Sequence, residues 1–286
     1  MKIRKAANGR AYLHIWREGT AYETQKGLVF HKEWTNVKFA LLPIASTRDV
    51  YVRDIRRPLS FPDASFDAVY ANHVLEHLTP DEGRTFVAEI YRVLKPGGIC
   101  RAVVPDLETG CIEYLKALHA AAADPSTEHL RRYHWSVLDL IDQMVRDRSG
   151  GLHLDLLKSG QFDVDYARCR NGDVFLEFFP PVPPRPGLIQ KIRSRTAIEL
   201  LYELLRRIKL LLIRGDPRKT REANKWMYDR LSLRLLLQTQ RFEHFSIKTF
   251  AESGIGDWDR YDFDRSNFGN YALEPSCYLE CLKPTE

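Results

Sequence analysis

The sequence predicts an α/β protein with a mainly parallel sheet and a large helical insertion. Three observations carry this. The apolar run "FDAVYA" (Phe66–Ala71) follows the turn "FPDAS" and has the all-apolar character of a buried parallel strand. A helix with a complete start signal comes next, and "ICRAVVP" (Ile99–Pro105) is a second buried strand. Strand, helix and strand at such short spacing form a right-handed βαβ unit. After Asp106, roughly a hundred residues show helical periodicity and few strand signals, which marks an insertion.

Each element has a local reason. "AYLHI" (Ala11–Ile15), "TNVKF" (Thr35–Phe39) and "DVYVR" (Asp49–Arg53) read as short strands. The helix after Phe66–Ala71 opens with Thr79 as N-cap, Pro80 at the first position, acids in the first turn and Glu82 completing a capping box. Its apolar stripe is Phe86, Val87, Ile90, Val93 and Leu94. "KPGG" (Lys95–Gly98) ends it, with Lys95 expected near the negative helix end. Within the insertion, one helix runs to about Ala123 and another covers "STEHLRRYHWSVLDLIDQMVRD". The proline cluster "FFPPVPPRPG" is expected to be an extended spacer, and Leu188–Ile213 a further helix. "WMYDRLSLRLLLQTQRF" reads as a helix, and "FEHFSIKTF" and "SCYLECLK" as strands that rejoin the sheet. The expected division is 1–110 for the first half of the sheet domain, 111–225 for the helical cap, and 226–286 for the rest of the sheet domain.

Of the 286 residues, 44% are apolar and 28% charged, the composition of a folded chain rather than a disordered one. No apolar run approaches a membrane span, and the basic start "MKIRKAANGR" has no apolar stretch behind it, so a cytoplasmic location is expected. The five cysteines include no C-x-x-C pair and are expected to be free thiols. Net charge is +5, yet ten Lys or Arg between Leu188 and Arg221 face only Glu199, Glu203 and Asp216. The basic helix 188–213 therefore has two readings: a cap helix with a solvated basic rim, or a peripheral contact with an anionic membrane. Nucleic acid is not expected, because the charge is confined to one amphipathic helix without an aromatic stacking platform.

His73, Glu76 and His77 spell H-x-x-E-H, a string that zinc peptidases also use. Such a site needs a long helix and a distant third ligand, and Thr79-Pro80 interrupts the segment at once. No metal is expected. Glu76 and His77 are read as capping or packing the turn, and His73 as facing a pocket.

The stretch "DIRRPLSFPDASFDAVYANHVLEHLTPDEGRTFVAEIYRVLKPGGICRAVVPDLE" (Asp54–Glu108) resembles the middle of class I S-adenosylmethionine-dependent methyltransferases, and most closely their type 11 branch. The resemblance implies a Rossmann-like sheet of seven strands, the last antiparallel, with the cofactor across the carboxyl ends of the central strands. It implies that Asp54 accepts a hydrogen bond from the adenine amino group, that Ile55 offers an amide and an apolar face, and that Asn72 and His73 meet the methionine part and the acceptor. It also implies that "KPGG" is a structural turn, and it matches Tyr228-Asp229 to a recurring "YD".

Two positions depart from that pattern. The glycine-rich loop after the first strand is replaced by "WREGTAYE", and Lys38 stands where an acid normally grips the ribose. A lost charged acceptor costs about 1.5–3 kcal/mol per hydrogen bond. Glu18 or Glu23 is a candidate substitute.

The expected function is a methyltransferase acting on a small molecule or saccharide. The alternative is a pseudo-methyltransferase that serves as a binding or scaffold module. Catalytic candidates are His73 as base, with Asp106, Tyr228 and Asp229 near the acceptor. Asp106 reads equally well as a helix N-cap, Asp229 also as a helix start, and His134 as a surface histidine.

Overall fold

The computed structural model describes residues 1–17, 31–40, 46–148, 150–171, 223–264 and 275–285. The proline cluster, the basic helix 188–213, Glu18 and Glu23 lie outside these residues.

Seven strands form one sheet: β1 (Tyr12–Arg17), β2 (Thr35–Phe39), β3 (Val50–Arg53), β4 (Phe66–Asn72), β5 (Leu94–Pro105), β6 (Glu243–Lys248) and β7 (Ser276–Leu282). Their order is β3-β2-β1-β4-β5-β7-β6. The first five run parallel, and β7 is antiparallel to both β5 and β6. The order reverses between β1 and β4, so the parallel strands point their carboxyl ends at one edge on either side of that switch. This is the Rossmann-like α/β fold that the sequence leads one to expect.

Side-chain alternation splits the sheet into two unlike faces. Leu13, Ile15, Val37, Val69, Ala102 and Val104 pack against α1 (Pro80–Val93) and α6 (Arg230–Gln238) in an aliphatic core. The opposite face is aromatic. Tyr12, Trp34, Tyr70 and Tyr278 of the sheet side meet Trp258, Tyr261 and Phe263, which come from and just beyond the short helix α7 (Trp258–Tyr261).

The start of α1 is as predicted. Glu82 N donates to Thr79 Oγ1 at 3.3 Å, and Thr79 N donates to Glu82 Oε2 at 2.9 Å. Thr79→Ala should lower stability by about 1 kcal/mol, read as the urea midpoint at constant slope. The end of α1 differs from expectation. The "KPGG" stretch bulges between Leu94, paired with Phe66, and Ile99, paired with Ala68. Gly98 is required there, because a Cβ would lie 2.8 Å from the Lys95 carbonyl oxygen. Lys95 Nζ binds Asp67 Oδ2 at 2.8 Å instead of the helix end. Lys283, just beyond β7, takes that role and donates to the Tyr91 and Leu94 carbonyls at 2.8 Å each.

The insertion begins with α2 (Leu107–Ala123) and continues through α3 (Thr127–Val145), α4 (Gly151–Ser159) and α5 (Val164–Asn171). It has its own small core of Trp135, Leu157, Phe162 and Ala167. Gly110 lets α2 approach α3 closely, since a Cβ there would meet Leu140 Cδ2 at 2.7 Å.

Candidate active site at the strand tips

The carboxyl ends of β1, β2, β4 and β5 form one row across the sheet: Lys38, Trp16, Asn72 and Val103 are direct neighbours. Paired residues share a face, so Asn72, Trp16 and Lys38 lie on the aromatic side. Trp16 is buried, with its ring stacked 4.8 Å from that of His14.

Asn72 is 4% exposed, and its side-chain oxygen has no hydrogen-bond partner among the described residues. A buried acceptor without a donor is uncommon and marks a place where something else supplies one. His73 follows with a left-handed backbone, φ 48°. Its amide donates to the Val103 carbonyl at 3.0 Å, so the register of β4 on β5 holds the bend. That bend carries the chain off the strand into the turn Leu75–His77.

The turn brings Glu76 back onto His73. Glu76 Oε1 lies 3.2 Å from His73 Nδ1, and His73 Nε2 lies 3.2 Å from Ser276 Oγ of β7. Glu76 is 2% exposed, and its Oε2 reaches no hydrogen-bond partner. Its backbone carbonyl accepts from the amides of Lys225 and Trp226, at 2.7 and 3.1 Å. Sequence reading assigned Glu76 to packing; the i,i+3 spacing to His73 was the signal that joins the two. His77 Nε2 sits 3.1 Å from Arg17 Nη1. Burial, reinforced by Arg17 and Arg146, holds the His77 pKa well below its ordinary value, so a neutral ring can accept a hydrogen bond from the Arg17 guanidinium.

Asp54 follows β3 at the same edge. Its Oδ1 accepts from Arg56 Nε at 2.8 Å and its Oδ2 from Arg56 Nη2 at 2.6 Å. Burial acts to raise its pKa, but the Arg56 bonds outweigh it and hold the carboxyl below its ordinary range. Ile55 is fully buried in the aliphatic core.

Two of the remaining predicted residues fall at helix starts. Asp106 caps α2, accepting from Glu108 N at 3.1 Å and from Thr109 Oγ1. Asp229 caps α6, accepting at Oδ1 from Leu231 N at 2.9 Å and Ser232 N at 2.7 Å. Tyr228 is buried against α1, where a Cβ on Gly83 would lie 3.2 Å from its hydroxyl. Burial, with Glu76 nearby, pushes the Tyr228 phenol up to about 12, so it stays protonated at neutral pH. His134 is exposed on α3. Thus Asn72, His73 and Glu76 converge, Tyr228 lies near Glu76, and Asp106 and Asp229 spend their carboxylates on caps. Among the described residues, no group of three His, Cys, Asp or Glu side chains is placed to hold a metal ion.

Against this geometry, residues 32–102 match the family model described as a methyltransferase domain. That stretch is about a quarter of the chain, and it is this stretch that is similar to a methyltransferase domain. A 40-residue stretch is 60% identical to sterol 24-C-methyltransferase erg-4 of Neurospora crassa, covering 14% of this chain and 10% of that protein. The match thus spans only about a tenth of that relative. Among solved structures, an S-adenosylmethionine-dependent methyltransferase from Methanosarcina mazei aligns with a TM-score of 0.39 at 14% identity, over 96% of this chain and 92% of that one. The YcgJ protein from Bacillus subtilis aligns with a TM-score of 0.38 at 10% identity, over 98% and 94%.

The residues present fit S-adenosylmethionine in part. The Asn72 oxygen is an unmet acceptor at the tip of β4, and Asp54 is an acid at the tip of β3. The second strand ends without an acid, and the residues that follow β1 lie outside those described.

Proposed function

We propose that the protein is an S-adenosylmethionine-dependent methyltransferase acting on a small molecule or saccharide. One observation carries this reading: a His73–Glu76 pair at the tip of β4, next to a buried acceptor on Asn72 that lacks a donor. We also propose the division into a sheet domain and a helical cap at 111–225.

When bound, the cofactor supplies a methyl group already activated on a positively charged sulfur. The chain has to position, hold and move a proton. Asn72 and Asp54 are the residues that would hold the methionine and adenine ends. With its Nδ1 proton directed at Glu76 Oε1, His73 presents Nε2 as a proton acceptor, in the place now taken by the Ser276 hydroxyl. The Glu76 carboxylate then stabilises the ring once it is charged.

Calorimetric titration with S-adenosylhomocysteine tests the binding half. Saturable binding that weakens at least tenfold in Asp54→Ala supports the enzyme. Absence of binding at millimolar ligand favours the pseudo-methyltransferase, which Lys38 and the Arg56–Asp54 pair support. Once an acceptor is in hand, His73→Asn should lower kcat by about 10²–10⁴-fold with little change in KM.

A further inference from the structure

We propose that the cavity between the helical insertion and the tip of β5 binds a polyhydroxylated small molecule, a sugar or a cyclitol. Its role as the methyl acceptor rests on the reading above; the binding does not.

The cavity opens to solvent, and about 60 Å³ of it admits the centre of a water-sized body. Asp106 lines its base, α3 contributes Asp139, the residue after it Arg146, α4 contributes His153 and α5 contributes Arg170. Pro275 lines it too, and the next residue, Ser276, bonds His73 Nε2. The cavity therefore adjoins the proposed base.

The lining has unmet capacity of both signs. Asp106 is committed to its cap, and Asp142 accepts the Leu152 amide at 2.7 Å at the start of α4. Arg170 is 8% exposed, so its guanidinium is largely withdrawn from water. Its Nε lies 3.4 Å from Asp139 Oδ2, an ion pair too poorly aligned to count as a hydrogen bond. Buried N–H donors of this kind seek an acceptor. His153 Nδ1 faces Asp139 Oδ1 at 3.7 Å, and its Nε2 is buried without a partner among the described residues. Burial drives the His153 pKa down to about 4, so the ring is neutral at physiological pH. With the proton on Nδ1, Nε2 is an acceptor in need of a donor.

A hydroxyl group both gives and accepts, and neighbouring hydroxyls can serve Arg170 and His153 together. An anion would face the carboxylates of Asp106, Asp139 and Asp142, and an apolar ligand would leave Arg170 unmet. A polyol is the class that satisfies the site.

Saturation-transfer NMR with D-glucose, D-galactose, D-mannose and myo-inositol at millimolar concentration tests the proposal, and the separate spectra distinguish sugar from cyclitol. At least one should receive saturation from the wild-type protein. That signal should disappear in Arg170→Gln and in His153→Phe, while S-adenosylhomocysteine titration is unchanged. Circular dichroism identifies folded variants, and either folded variant is sufficient. No transfer from any of the four, or an undiminished signal in a folded variant, overturns the site. Polyol binding without cofactor binding would sink the transferase reading and leave this site standing.

Discussion

Arg101→Leu should destabilise the protein by about 3–5 kcal/mol, the range for stripping one partner from a buried ion pair. Arg101 is 0% exposed in the middle of β5. Its Nη1 lies 2.8 Å from Glu280 Oε1 and its Nη2 3.2 Å from Asp264 Oδ2. The guanidinium carbon sits 4.4 Å from the centre of the Trp258 ring. Leucine would leave two buried carboxylates facing each other without a cation. They are held further by the Tyr70 hydroxyl on Asp264 and the Gly254 amide on Glu280, so they cannot swing to water. Burial already pushes the Asp264 pKa above its ordinary value despite Arg101. Urea denaturation reads the effect. The triple change Arg101→Leu, Asp264→Leu, Glu280→Leu should recover a large part of the loss, because it removes the stranded charges. Arg101→Leu within 1 kcal/mol of wild type, roughly the size of a surface change, would refute the role assigned to this network.

Acidification should unfold the protein steeply between pH 6.5 and about 4, and His14→Phe should flatten that slope. His14 is fully buried, stacked on Tyr70 at 4.9 Å and Trp16 at 4.8 Å and paired across the strands with Asn36. Burial lowers its pKa from 6.5 to about 3, and that of His153 from 6.5 to about 4. Below pH 6.5 the unfolded chain takes up protons that the folded one refuses. Stability is therefore intact above 6.5 and is lost as pH falls towards the folded values, by up to about 1.4 kcal/mol per pH unit for each histidine. Asp264, with its raised pKa, works in the opposite sense, since the folded state binds its proton first. Comparing His14→Phe with wild type cancels that contribution. Urea midpoints near neutral and near pH 4.5 check it: equal losses in the two proteins would mean that His14 is not held neutral by burial.

The sequence by itself determined the elements whose cause is local. The βαβ unit, the Thr79–Glu82 capping box and the seven strands follow from apolar period and cap chemistry within a few residues. The cap readings of Asp106 and Asp229 were visible for the same reason. What needed the tertiary structure is every pairing that joins distant segments. Strand register places Asn36, His14, Tyr70, Arg101 and Glu280 in one buried polar row across five strands, and no window of sequence contains that row. Lys283 reaches the end of α1 only because β7 runs antiparallel beside β5. His73 meets Ser276 by the same packing, and Asp139 meets both Arg170 and His153 only when three helices of the insertion fold on Trp135. Local propensity is written residue by residue, whereas a site is a set of distances, and distances between far segments exist only once the core has closed.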